Sequence, residues 1–162
     1  MTYKLLPQIK MISDKQFVGV SKRMSIVNDT TRELFRTFMP RRKEIKHLKN
    51  SNVLDLRVYD DTYFLKFNPS AEFTKYALVE CTEITELPKG MEVYDFIGGN
   101  YAVFKHKGMM SDRSIYDYIF RDWLLNSQYN LDNRPHFEVL GPKAKLNDPD
   151  SEEEIWVPIT LK

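Results

Sequence analysis

Glu154 and Trp156 stand two residues apart in the run Glu154-Ile155-Trp156-Val157-Pro158-Ile159, and together they have the chemistry to hold a positively charged aromatic molecule. In an extended strand alternate side chains share a face, so Glu154, Trp156 and Pro158 point one way and Ile155, Val157 and Ile159 the other. The carboxylate and the indole are then about 7 Å apart along the strand. An indole face attracts a cation by about 0.5–2 kcal/mol, and a carboxylate in a partly dry groove costs several kcal/mol unless a counter-ion meets it. The same residues fit a plainer role in which Glu154 continues the acidic run Glu152-Glu153 at a solvated strand start.

The chain looks like two copies of one unit. Leu34-Phe35-Arg36-Thr37-Phe38-Met39 returns 85 residues later as Ile119-Phe120-Arg121-Asp122-Trp123-Leu124. Each copy is preceded by an apolar stretch opening on an aromatic, Phe17 or Tyr101, and followed by an Asn/Asp-Pro turn and a further strand. Placing Pro69 on Pro149 puts Tyr76 on Trp156, so pseudo-symmetry brings two aromatic faces towards one cleft. Tyr76 shares its strand face with Glu80, a second acidic candidate. Phe38 and Trp123 are equivalent in the repeated helix motif and fit core packing or the edge of a groove. Tyr101 and Tyr129 are further aromatics able to close a pocket. Two related halves meeting at a seam create a cleft, and clefts are where small molecules bind.

Local signals supply the elements. Thr30 and Glu33 have capping-box spacing ahead of Leu34, Phe35, Phe38 and Met39, which predicts an amphipathic helix that Pro40 distorts. Ser111-Asp112 caps a second helix carrying Ile115, Tyr118, Ile119, Trp123 and Leu124. Val53–Tyr59 alternates Val53, Asp55, Arg57 and Tyr59 against Leu54, Leu56 and Val58, the period of a half-buried strand. Residues 76–81 and 154–161 read the same way, and Leu87-Pro88-Lys89-Gly90 punctuates the boundary between halves near residues 88–98. The expected architecture is α+β, with one continuous antiparallel sheet and two helices.

Composition narrows the partners. The 162 residues are 42% hydrophobic, enough for a real core, and 24 basic against 23 acidic side chains leave a formal charge of +1. No global field favours nucleic acid or an anionic membrane, and the cluster Arg41-Arg42-Lys43 reads as a solvated face. The lone Cys81 excludes an internal disulfide and fits a reducing, cytoplasmic setting. Met1–Gln8 is too short an apolar run for a signal peptide, and no stretch approaches the roughly 20 residues that span a bilayer. His47, His106 and His136 are scattered, and Asp148, Asp150 and Glu152 lead to Glu153 where a calcium loop needs glycine. Neither a metal nor any other cofactor is expected.

A resemblance adds to this. Gly99-Asn100-Tyr101-Ala102-Val103-Phe104, Trp123-Leu124, Arg134-Pro135-His136-Phe137-Glu138, Asp148-Pro149 and Glu154–Ile159 resemble the GyrI-like effector-binding domain. In the first half Phe38–Ile45 and Leu54–Tyr59 resemble it too. The family includes ligand-binding domains of AraC-type and multidrug-sensing regulators, stand-alone gyrase modulators and integron-carried binding proteins. The resemblance implies a single domain over 1–162, with pseudo-repeats at about 1–88 and 96–162, built from tandem strand-helix-strand-strand modules around a central groove. It implies a site for hydrophobic, often cationic compounds around a last-strand carboxylate, matched here by Glu154. No DNA-binding segment lies outside the two modules, so direct nucleic-acid binding is not expected and gene regulation would need a protein partner.

Three functions follow, in order. The first is a stand-alone protein that senses or sequesters an amphipathic, cationic, drug-like molecule, with ligand contacts from Glu154, Trp156, Tyr76, Tyr101, Tyr129, Phe38, Trp123 and Glu80. The second is a hydrolase of strained cyclopropane-containing compounds, with Glu154 as base or charge stabiliser and Tyr101 or Tyr129 as donors. The third is modulation of DNA gyrase by protein contact.

Overall fold

The computed structural model describes residues 5–162, so the first four residues of the segment judged too short for a signal peptide lie outside it. Nine strands form one antiparallel sheet. In chain order they are β1 (Gln8–Ile12), β2 (Lys15–Ser25), β3 (Val53–Val58), β4 (Glu72–Glu80), β5 (Glu92–Phe96), β6 (Gly99–Lys107), β7 (Tyr129–Leu131), β8 (His136–Leu140) and β9 (Glu152–Leu161). Helix α1 (Thr31–Phe38) follows β2, and a second helix, α2, covering residues 114–126, follows β6. The architecture is the α+β arrangement that the sequence predicts.

Across the sheet the strands run β1-β6-β9-β8-β3-β4-β2-β5, with β7 on the far end of β9. The modules β2-α1-β3-β4 and β6-α2-β8-β9 therefore meet at β3 and β8, where Asp55 pairs with Glu138, Leu56 with Phe137 and Arg57 with His136. The alternation of buried and exposed residues along Glu72–Val79 of β4 recurs residue for residue along Glu152–Ile159 of β9. This is the register that sets Tyr76 on Trp156. The outer strands are exchanged: β1 pairs with β6 of the second module and β5 with β2 of the first.

The two helices start and end for identifiable reasons. Asp29 Oδ1, rather than Thr30, accepts the Thr31 amide at 2.9 Å, because Thr30 makes no side-chain cap. After Phe38 the chain tightens into a 3-10 stretch, Met39–Glu44, with Pro40 near its start, where a missing N–H costs least. Asp112 Oδ1 accepts the Ser114 amide at 2.9 Å and opens α2. That helix is α-helical over Ser114–Tyr118, widens to π geometry over Ile119–Trp123 and closes over Leu124–Asn126.

Three apolar clusters result. Leu34, Phe38 and Ile45 pack with Val18, Phe73, Ala77 and Val79 beneath α1, and Ile115 and Ile119 pack with Phe104, Ile155, Val157 and Ile159 beneath α2. The opposite sheet face carries a third cluster, with Phe17, Leu56, Leu78, Phe96, Tyr101 and Phe137 at its centre, shared by both modules. Both faces of the sheet are thus buried.

The exchanged strands cross where Gly98 passes β1. Its amide donates to Asp14 Oδ1 at 2.7 Å, and a Cβ there would stand 2.0 Å from the Ile12 carbonyl oxygen. Gly98→Ala must push the two crossing chains apart. The expected loss is about 1–3 kcal/mol of unfolding free energy, read from urea denaturation; unchanged stability would show that the crossing is not tightly packed.

Candidate functional site

The α-helical face of the sheet has a gap at the seam, because α1 and α2 each cover their own module. The charged residues of β3 stand in that gap. Asp55, Arg57, Lys75, Glu138 and Glu153 are all buried, although they occupy positions that alternate with apolar ones. Lys75 Nζ donates to Asp55 Oδ2 at 3.2 Å and to Thr31 Oγ1 at 2.8 Å. Arg57 Nη1 lies 3.2 Å from Glu138 Oε1, and the Tyr116 hydroxyl donates to that same oxygen. Glu153 Oε1 lies 3.2 Å from His106 Nδ1. A buried ion loses several kcal/mol of hydration, so each charge here requires its partner.

These neighbours set the protonation states. Burial raises the Glu153 carboxyl, and the adjacent Glu138 and Asp55 charges raise it further, to about 9. Burial acts in the same direction on Glu138, but Arg57 and the Tyr116 hydroxyl outweigh it and hold that carboxyl below the ordinary range. His136 is driven down to about 3 by burial and by Arg57. Burial raises the Asp55 carboxyl against the opposing pull of Lys75, so at neutral pH the floor holds the Arg57–Glu138 ion pair, the Lys75–Asp55 contact, one protonated carboxyl and one neutral imidazole.

Over this floor lies a groove of about 270 Å³ with mainly aromatic walls. The loop after β3 supplies Tyr59, Tyr63, Phe64 and Phe67, and α2 supplies Tyr116 and Phe120, one helical turn apart. Phe64 stacks on the His136 ring at 5.4 Å and 27°, and the Phe120 ring lies 6.0 Å from it, tilted by 36°. Arg113, one turn before Tyr116, sits 4.7 Å from its ring centre, and Arg57 sits 5.9 Å from it. The groove has the dimensions of a small-molecule site, with apolar walls and a few fixed polar groups.

The residues singled out in the sequence are distributed differently. Trp156 stacks on Phe137 at 5.0 Å, belongs to the shared cluster of the opposite sheet face and also borders the groove wall. Glu154 accepts a hydrogen bond from the Trp156 indole at 3.3 Å and so faces away from the buried charges, while its neighbour Glu153 faces them. Tyr76 lies on the Trp156 side, 4.7 Å from Tyr94. Tyr101 is fully buried there and donates to the Pro135 carbonyl at 2.8 Å. Phe38 is core beneath α1. Trp123 packs edge-on to Phe104 at 5.1 Å and lies 6.2 Å from Tyr129, beneath α2. Glu80, at the far end of β4, is paired with Lys15 at 2.8 Å and Lys49 at 3.1 Å. Glu154, Tyr101 and Tyr129 do not converge on a common point.

Missed in the sequence were Arg57, Tyr116, His136, Glu138 and Glu153. The available signal was that Asp55 and Arg57 sit on one strand face and His136 and Glu138 on another, all beside apolar residues. Among the described residues no three His, Cys, Asp or Glu side chains are grouped to hold a metal ion.

Comparison with known proteins bears on the fold. The family model for integron-associated effector binding proteins matches residues 8–159. The chain belongs to that family. The solved C-terminal domain of EcmrR superposes with a TM-score of 0.71 at 14% identity, over 98% of this chain and 99% of that one. An integron cassette protein from the mobile metagenome of Vibrio cholerae gives 0.59 at 14% identity, over 96% of each chain. SAV2435, solved bound to tetraphenylphosphonium, gives 0.66 at 13% identity, over 95% of this chain and 93% of that one. A sequence search of curated proteins gives no match.

The protonated Glu153 makes a directional prediction. Its folded pKa of about 9 lies above the ordinary value of 4.5, so between those limits the native state binds more protons than the unfolded chain and stability falls as pH rises. Glu153→Gln keeps the neutral shape and removes that penalty. Urea denaturation should show the variant gaining about 4 kcal/mol over the parent between pH 5 and pH 8; parallel stability curves would mean that Glu153 is ionised in the native protein.

Proposed function

We propose that this protein is a stand-alone effector-binding protein whose groove takes up one amphipathic, aromatic small molecule for sensing or sequestration. The observation that carries the reading is the groove at the module seam, walled by Tyr59, Phe64, Tyr116 and Phe120 above a floor of neutralised charges. Aromatic walls favour flat or bulky aromatic ligands through area burial and stacking. Family membership supports the reading, and so does the tetraphenylphosphonium cation bound by SAV2435.

The cationic, drug-like ligand expected from the sequence relied on Glu154 as counter-ion. Glu154 stands on the other sheet face; beneath the groove Asp55 Oδ2 meets Lys75, Glu138 Oε1 meets Arg57 and Tyr116, and Glu153 Oε1 meets His106, while Asp55 Oδ1 and Glu153 Oε2 have no partner among the described residues. The preferred charge of the ligand is thus a separate matter from the existence of the site. A hydrolytic reading draws on one observation: Glu153 and the Tyr116–Glu138 pair place a protonated carboxyl near a hydrogen-bonded carboxylate, the components of general acid–base chemistry. It ranks second because, among the described residues, no side chain lining the groove is placed as a nucleophile. No helix among the described residues is long and apolar enough to cross a membrane, and the cytoplasm is the compartment we assign. Control of a regulator through protein contact is compatible with this ligand site, whereas contact with gyrase has no structural feature in its favour.

Phe64 tests the proposal because it is about half exposed and contributes a wall without holding the core. Calorimetric titration with neutral polycyclic aromatics should give binding that weakens by about three- to tenfold in Phe64→Ala. Hits whose affinity is indifferent to that substitution would place the site elsewhere, and chemical conversion of a bound compound would promote the hydrolase.

A further inference from the structure

The mouth of the groove is bordered by apolar side chains that face water. Leu65 and Phe67 are each 81% exposed, Val27 is 64% exposed, and Ile26 and Phe64 are about half exposed. Ile26, Phe64 and Phe67 border the same opening, and the Val27 amide donates to the Pro69 carbonyl at 3.1 Å, which holds the two loops side by side. Together the five side chains present on the order of 600 Å² of apolar surface, the upper end for the largest patch on a monomeric protein. The loop is pinned in the conformation that exposes them. Its Tyr63 and Leu65 amides close turns onto the Asp60 and Thr62 carbonyls, and Asn133 Nδ2 of the second module donates to Asp61 Oδ1 at 2.5 Å. Phe64 is turned in against His136, and its neighbour Leu65 is thereby held out.

We infer that this patch is a self-association surface, on which a second copy of the chain docks about a twofold axis. Two observations select that occupant. The first is area: two such patches in contact remove about 1,200 Å² from water, the lower end of the range for specific interfaces. The dimer is therefore reversible, with a dissociation constant on the order of micromolar to tens of micromolar. The second is the charge around the patch. Arg23, Lys66 and Arg113 are matched by Asp29, Asp60 and Asp61, all of them exposed. Arg23 lies 3.9 Å from Asp60, and Arg113 is close enough to Asp29 to act on its carboxyl. A rim carrying both signs is self-complementary under twofold rotation, where each residue meets a different residue of the partner. An anionic bilayer or a nucleic acid calls for a rim of one sign. The inference goes beyond the effector reading and holds whichever ligand the groove takes. It adds one consequence for that site: Ile26, Phe64 and Phe67 belong to both the patch and the groove wall, so the partner copy covers the mouth.

The experiment is sedimentation equilibrium on the full chain from about 1 μM to about 1 mM, a span that brackets the expected dissociation constant, run beside Leu65→Asp and Met11→Asp. Leu65 lies outside the groove lining and the core, so its substitution should leave the unfolding midpoint unaltered. Met11 is 73% exposed on β1, at the far edge of the sheet from the seam. The expected result is a monomer–dimer equilibrium that Leu65→Asp weakens about a hundredfold or more, since the twofold axis removes two leucines from one interface. Met11→Asp should dimerise as the parent does. A monomer throughout the range overturns the inference, as do open-ended aggregates in place of a dimer. Loss of the dimer in Met11→Asp but not in Leu65→Asp moves the contact to the β1 edge and overturns it equally. A monomer that floats with phosphatidylcholine vesicles, and stops doing so in Leu65→Asp, gives the patch to a bilayer instead of a second copy. None of these failures touches the groove: a monomer that still binds aromatic compounds in a Phe64-dependent manner keeps the effector reading and loses only the dimer.

Discussion

The pairing of β3 with β8 is the constraint on which the rest of the structure depends. It places Asp55 opposite Glu138 and Arg57 opposite His136 at the seam between the two modules. These groups are too far from bulk water to be hydrated individually, so they must satisfy one another. Lys75 reaches in from β4, Tyr116 from α2 and His106 from β6 to meet much of that demand, while Arg57 Nε, Asp55 Oδ1 and Glu153 Oε2 are left without partners among the described residues. An all-apolar seam would be easier to bury, and replacing such networks with apolar residues is often neutral or stabilising in proteins. On the effector-groove reading proposed above, the polar floor beneath aromatic walls serves the groove rather than the stability of the fold.

The duplicated architecture explains why the groove is asymmetric even though the modules are related. Along β4 and β9 the burial pattern is the same, but Lys75 corresponds to Ile155 and Phe73 to Glu153. One module thus contributes a buried cation where the other has an aliphatic residue, and a buried carboxyl where its counterpart has an aromatic. The π-helical turn of α2 has no counterpart in α1, which instead tightens into 3-10 geometry at Pro40. That widened turn contains Phe120, and insertions of this kind often mark functional sites in helices. Two halves of common pattern have been filled differently, so the cleft between them has a defined polarity.

Much of the fold was legible in the sequence. The repeat, the strand alternation, both helices and the superposition of Tyr76 on Trp156 came from periodicity and turn residues, which are local properties. The site was less legible because assigning a face to a strand residue requires knowing which faces are covered. Val53–Tyr59 reads as a strand with one polar, solvated face; in the structure both faces are buried, and Asp55 and Arg57 point into the gap between the helices. At β9 the difference is a single position. Glu154 follows the indole of Trp156, whereas Glu153 shares its face with Ile155, and in a strand one residue decides the side. The aromatic loop carrying Phe64 has no periodicity to announce it, and only its closeness to His136 gives it a role.

The exchange of outer strands has a consequence for how the chain reaches this state. β1 ends at Ile12 and pairs with β6, which begins at Gly99, while β5, in the segment between the halves, pairs back with β2. Neither half can complete its sheet from its own sequence. Most of the tertiary pairing is between residues far apart in the chain, and high contact order slows folding because loop closure precedes any reward from contacts. During synthesis β1 leaves the ribosome long before its partner exists, so it waits unpaired as an exposed edge. Its charged Lys10 at the centre of that strand is the kind of residue that discourages a waiting edge from pairing with another chain.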